Sequence, residues 1–439
     1  MARSIPIAVM PHIGGWHLGS WRRPNSRAED FWDPALWVEI AQIAEAAKLD
    51  AVFYGDNYSL IPVPEHLRHL TGRTGAWDAV TISAAVAMAT SNIGIVATAF
   101  TEFVAPYALA RQFATLDRIA GGRVGWNVVT SGTPGDKENY SAGPLGSSQV
   151  RYERAAEYVE VVKGLWDTWE DDAIVCDREA GVYYRREKMH TLDHHGKYFD
   201  VAGPLNVMRS PQGQPVIAQA GGSPEGRQLA GTIGELLFTA MSGPAAAAYR
   251  KDVREIAAAA GRDSDDLTVL AQLTPVIGHT HEEAEEKFNW LQQQVPQEIL
   301  RQTIELFLGA SLAEYDPDML ITELKITGGV AGYRDAVLSY RNPDGSVPTL
   351  RELFLGYKGP GTVVGTPEEI VDYMEAERAN GSCDGFLLML QGAPVELIDF
   401  TQLVVPELRR RGLLRTEYSE DTLRERLGIV PPVHRHAAT

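Results

Sequence analysis

The stretch GGRVGWNVVTSG (121–132) sets an indole and an amide, Trp126 and Asn127, inside an apolar run with the length of a buried strand. Other short apolar runs end in chemistry of the same kind. HIGGWH supplies His12, Trp16 and His17, and YGDN supplies Asp56 and Asn57. The run 93–100 carries Thr98 and leads to Thr101. AGGSPEG brings Ser223 after the run 215–220, Thr239 closes 235–240, and Gln391 and Gly392 follow 385–390. These are rings, amides, hydroxyls and one carboxylate. A hydrolase wants a general base with a nucleophile or metal in reach. This set is better suited to a flat, hydrogen-bonding ligand, whose ring edge meets amides and a carboxylate while indoles cover its apolar surface. The glycines of AGGSPEG allow close backbone approach, and Ser223 can cap a helix starting at Pro224, whose N-terminus attracts phosphate. A flat ring plus a phosphate points to a flavin mononucleotide.

Elements of regular spacing must hold these residues. Eight runs read as strands: 5–13, 50–57, 93–100, 123–130, 215–220, 235–240, 267–278 and 385–390. Helix-periodic segments separate most of them. One runs from Asp33, a cap with Pro34 at the first position, to Ala47; others span 80–90, 106–119, 224–233, 244–260 and 282–294. The segment 152–169 repeats large apolar groups at three- and four-residue spacing, one face of an amphipathic helix. Eight β-then-α repeats predict parallel strands closed into a single (β/α)8 TIM barrel of class α/β, with its site at the strands' C-terminal ends. A doubly wound open sheet is the alternative, but G-x-G-x-x-G occurs nowhere. Two insertions break the rhythm: a hairpin near 176–214, turning at His195-Gly196, and a long insertion near 295–383, rich in Gly, Pro and Asp over 313–361. The expected organisation is one domain over 1–425 with a C-terminal tail, 426–439.

Composition narrows the partners. Apolar residues make up 44% of the 439, enough for a sizeable core. With 40 basic against 58 acidic residues the net charge is −18, which repels nucleic acid and anionic membranes. The two cysteines, Cys176 and Cys383, form no disulfide framework, and MARSIPIAVM reads as a first barrel strand rather than a signal peptide. A cytoplasmic protein without membrane spans is expected. His190, His194 and His195 fall in the hairpin, away from the strand ends, so no metal site is predicted.

Several longer motifs resemble one family. GSWRRP (19–24), DAVFYGDN (50–57), ARQFATLDRIAGGRVGWNVVTS (110–131), RYERAAEYVEVVKGLWDTWE (151–170), HHGKYFDVAGPLN (194–206), QAGGSPEGRQLA (219–230) and VVPELRRRGL (404–413) are similar, in number and order, to the bacterial luciferase-like flavin monooxygenases, in the branch typified by nitrilotriacetate and dibenzothiophene-sulfone monooxygenases. The resemblance implies a two-component enzyme. Reduced FMN, supplied by a separate NAD(P)H:flavin reductase, would react with O2 to a flavin peroxide that oxygenates a small organic substrate. It implies flavin contacts at Asp56, Thr98 and Asn127, phosphate contacts at Tyr152 and Ser223, and a flavin floor formed by Trp126-Asn127, with the following loop bordering the substrate. Ser148 stands where many members have His, still able to bind phosphate through its hydroxyl; Asp78-Ala79 stands where the family often has Glu-Pro. Trp16, His17 and Arg151 are expected near the reactive edge, with Asn127, as the catalytic group. A homodimer or homotetramer is expected. The competing reading from the same barrel is a deazaflavin- or flavin-dependent oxidoreductase without oxygenation. A metal-dependent barrel hydrolase would want His-x-His after the first strand, where this chain has His12 and His17. A flavin-binding protein without catalysis is separated from these by turnover.

Overall fold

In the computed structural model, eight parallel strands close on themselves. They are β1 (Ile7–Val9), β2 (Ala51–Tyr54), β3 (Gly94–Phe100), β4 (Val124–Val129), β5 (Val216–Gln219), β6 (Leu236–Thr239), β7 (Thr268–Ile277) and β8 (Gly385–Leu388). Each pairs in parallel with its sequence neighbours, and β8 pairs back onto β1, so the ring has no edge. The structure describes residues 4–60, 65–73, 75–130, 134–140, 146–326, 337–338, 340–342, 345–356, 358–359 and 361–436. The loop expected to border the substrate, 131–133, and part of the Gly- and Pro-rich stretch 313–361 lie outside them.

Strand alternation sorts the core into two layers. Ile7, Val9, Val52, Ile95, Val124 and Trp126 point outward beneath the helices, in the main buried cluster. Ala8, Ala51, Phe53, Val96, Val216, Leu270 and Leu387 point inward, in a second cluster. Leu423, Leu427 and Ile429 complete that inner cluster, with Arg424 buried against Glu235 at 2.6 Å. The C-terminal segment thus closes the barrel at the strands' N-terminal ends.

The helices begin where local chemistry dictates. Asp33 caps α1 (Pro34–Ala46), its carboxylate accepting from Ala35 N, and Asp78 caps α2 (Ala79–Ala89). α3 (Pro106–Ile119) starts on its proline. Ser147 caps α4 (Ser148–Trp166) and Ser223 caps α5 (Pro224–Ile233). α6 (Gly243–Ala259) and α7 (His281–Gln293) follow β6 and β7. The hairpin region resolves into two ladders, Ile174–Asp177 with Val182–Tyr184 and His194–His195 with Asp200–Val201. The insertion after β7 carries α8 (Gln297–Leu308) and a small core of its own around Leu308, Ile321 and Leu353. It also carries a ninth strand, Thr362–Gly365, that extends the outer half of β7 before α9 (Pro367–Ala379) leads into β8. Three residues between Gly361 and Gly365 were too few to announce that strand.

Candidate active site

Asn127 and Thr98 are register partners on β4 and β3, on the inward face with Val96. Asn127 Nδ2 donates to Thr98 Oγ1 at 3.0 Å, while Asn127 Oδ1 is buried with no hydrogen-bond partner. A buried amide oxygen left unpaired is costly, and that cost disappears if a ligand supplies a donor. Further along the same strand end, Thr101 Oγ1 and Glu102 Oε1 are likewise buried and unpaired, and Arg151 Nε on α4 is a third such atom.

Trp126 faces the other way. It is fully buried among Phe113, Tyr158 and Trp166, and its Nε1 donates to Ala99 O at 3.1 Å. The expectation that Trp126 forms part of the flavin floor is therefore corrected: neighbours on a strand point to opposite faces, and Trp126 pins β4 to the helix layer.

Asp56 lies past the end of β2. Its Oδ2 accepts from Ala79 N at 3.2 Å, so it supports the start of α2 together with Asp78. Burial, with a smaller contribution from the neighbouring Asp78 charge, pushes its carboxyl up to about 7. Beside it stands an aromatic wall not singled out in the sequence. Tyr58 packs 4.2 Å from Phe100 and 4.9 Å from Tyr140, and Phe103 stacks on Tyr140 at 4.8 Å. These rings come from separate segments, so no single motif carries them.

Two helix N-termini meet at the expected phosphate position. Ser223 Oγ accepts from Gly226 N at 3.1 Å, and a Cβ at Gly226 would lie 3.0 Å from the Tyr152 hydroxyl. The same Cβ would lie 2.8 Å from Gly221 Cα, so a glycine is needed for α5 to start this close to the loop after β5. Ser148 Oγ lies 3.5 Å from Glu225 Oε2. Ser148, Tyr152 and Ser223 are thus brought together, with Glu225 as an opposing charge. A phosphate held here would rely on hydroxyls and free backbone N–H groups.

The loop after β1 is held from several sides. Trp16 Nε1 donates to Met10 O at 2.9 Å. His17 Nδ1 accepts from Gly19 N at 3.1 Å, so Nε2 carries the proton and donates to Gln292 Oε1 at 2.9 Å on α7. Burial lowers His17 to about 4, leaving it neutral. Arg151 does not join this loop; its Nη1 donates to Gly146 O at 3.1 Å and its charge faces Glu102. His190, His194 and His195 each pair with a different carboxylate, Glu170, Glu157 and Asp200.

The family model for luciferase-like monooxygenase matches residues 16–382. The chain is 39% identical to the N-acetyl-S-(2-succino)cysteine monooxygenase of Bacillus subtilis (strain 168), covering 99% of both chains. It is 36% identical to nitrilotriacetate monooxygenase component A of Aminobacter aminovorans, covering 98% of this chain and 97% of the relative. A crystal structure of a riboflavin lyase with modified FMN and riboflavin superposes with a TM-score of 0.82 at 32% identity, covering 97% of this chain and 96% of the lyase.

Proposed function

The chain belongs to the luciferase-like monooxygenase family, and on that premise we propose that it is the oxygenase of a two-component system, using reduced FMN and O2 to oxygenate a small organic substrate. The observation that carries the cofactor assignment is the unpaired Asn127 Oδ1 inside the barrel mouth, beside Thr98. It fits a ligand with ring N–H donors. Asn127, Thr98 and Asp56 would hold the ring system, and Ser148, Tyr152 and Ser223 the phosphate. When bound, reduced FMN supplies the electrons that activate O2, so that one oxygen atom enters the substrate and the other leaves as water.

The chain's own residues bind, orient and exclude water. Asp56 anchors the start of α2 at the rim, and the wall of Tyr58, Phe100, Phe103 and Tyr140 gives the mouth an apolar side. His17, neutral and bonded at both nitrogens, ties the Trp16 loop to α7. Arg151 would act from the phosphate side through its unpaired Nε. A separate NAD(P)H:flavin reductase as the electron source is supported by the absence of a dinucleotide fingerprint in the sequence and by a relative named as component A of its system.

The test supplies FMN, NADH and O2 with and without an unrelated flavin reductase, against a panel including nitrilotriacetate and N-acetyl-S-(2-succino)cysteine. Oxygenated product by mass spectrometry only when the reductase is present is expected. Product formation matched by NADH oxidation in the isolated protein would refute the two-component reading.

A further inference from the structure

The mouth carries a guanidinium that none of the described residues pairs. Arg73 lies in the long connection between β2 and α2. Its turn is held against the β1 loop by direct backbone contact, since a Cβ built on Gly14 (φ +75°) would lie 2.3 Å from the carbonyl of Gly72. That approach sets the Arg73 guanidinium 4.8 Å over the ring of Trp16, which is itself fixed by its bond to Met10 O. Other shielded arginines have partners: Arg23 with Glu396, Arg154 with Glu102, Arg209 with Asp167. Among the described residues no carboxylate forms an ion pair with Arg73, and its Nε is buried without a hydrogen bond. Arg123 and Arg426, buried and likewise without a carboxylate, donate to backbone carbonyls instead, whereas no described residue accepts from Arg73.

The surroundings keep the positive charge unopposed. His12, 5.1 Å from Trp16, donates from Nδ1 to Ile13 O at 2.6 Å and is held neutral, its pKa lowered to about 3 by burial and by the Arg73 charge. Burial lowers Arg73 itself to about 10, which leaves it cationic at neutral pH. A shielded guanidinium without a counter-charge is costly, and its planar fork matches a carboxylate through two parallel hydrogen bonds.

We propose that Arg73, seated on Trp16, receives a carboxylate of the organic substrate on the β1–β2 side of the barrel mouth. This deepens the monooxygenase reading and rests on it. A neutral substrate would leave the guanidinium unpaired; a carboxylate on the substrate pairs it and fixes one end of the molecule at the mouth.

The test titrates FMN-saturated full-length protein calorimetrically with nitrilotriacetate, N-acetyl-S-(2-succino)cysteine and succinate, and with the methyl esters of each. FMN affinity is measured alongside in wild type, Arg73→Met and Arg73→Lys. At least one carboxylate is expected to bind wild type, with its ester about tenfold weaker or worse. Arg73→Met should bind FMN as wild type does and lose about 10- to 100-fold in carboxylate affinity, with Arg73→Lys recovering part of it. In turnover the loss should fall on KM rather than kcat. Wild type that binds FMN but none of the three acids, or Arg73→Met that binds them equally well, overturns this proposal alone. Wild type that binds no FMN overturns the monooxygenase reading, and this proposal with it.

Discussion

Replacing Asn127 by alanine separates a cofactor contact from a structural one. The change removes two things: the 3.0 Å bond from Nδ2 to Thr98 and the unpaired Oδ1. An internal hydrogen bond contributes about 1 kcal/mol net, and an unpaired buried polar atom costs about 1–3 kcal/mol. In the free protein these effects oppose each other, so stability should change by no more than about 2 kcal/mol in either direction. In the complex the oxygen would accept from the flavin, and alanine would instead leave the ring's donor unpaired. Binding of reduced FMN should then weaken by about 1–3 kcal/mol, or about 5- to 150-fold in Kd. Asn127→Leu, close in size and without polar atoms, should match or exceed wild-type stability while losing the same affinity. Anaerobic fluorescence titration with reduced FMN and thermal melts of the free variants measure both quantities. Full FMN affinity in Asn127→Ala together with a sharply lowered melting temperature would refute the assignment and make Asn127 structural.

Three further outcomes are expected. Asp56 has a folded-state pKa of about 7 against an ordinary value of 3.8, so its contribution to stability is present below about pH 4 and is lost as pH rises through 7. Asp56→Asn should therefore flatten the fall in melting temperature across that window relative to wild type, and an unchanged difference between the two at every pH would contradict the burial argument. Ser223→Ala should cost about 1 kcal/mol of stability as a lost cap. It should also weaken FMN several-fold while leaving riboflavin affinity unchanged; equal losses for both ligands would remove the phosphate from this helix N-terminus. Trp126→Ala should cost about 3–5 kcal/mol in chemical denaturation, yet leave the FMN affinity of the folded protein as in wild type. A large affinity loss would return the indole to the flavin site.

What the sequence determined by itself was whatever local chemistry and periodicity encode. The eight barrel strands lie where apolar runs alternate with helical spacing, and α1 and α5 begin at Asp33 and Ser223 because a capping side chain and a following proline act within one turn. The family motifs brought Thr98 and Asn127 together, and Tyr152 with Ser223, before any coordinates. Closure of the barrel decided the rest. Trp126 and Asn127 are equally plausible ligands in a linear reading, and strand parity against the closed ring sends one to the helix layer and the other into the mouth. His17 reads as a free loop base until Gln292, 275 residues away, fills its second nitrogen. The aromatic wall, the ninth strand and the C-terminal plug depend on contacts between distant segments. Arg73 shows the limit most directly: whether an arginine is paired depends on every residue that surrounds it in space, and desolvation, which makes an unpaired charge costly, exists only once the chain has folded.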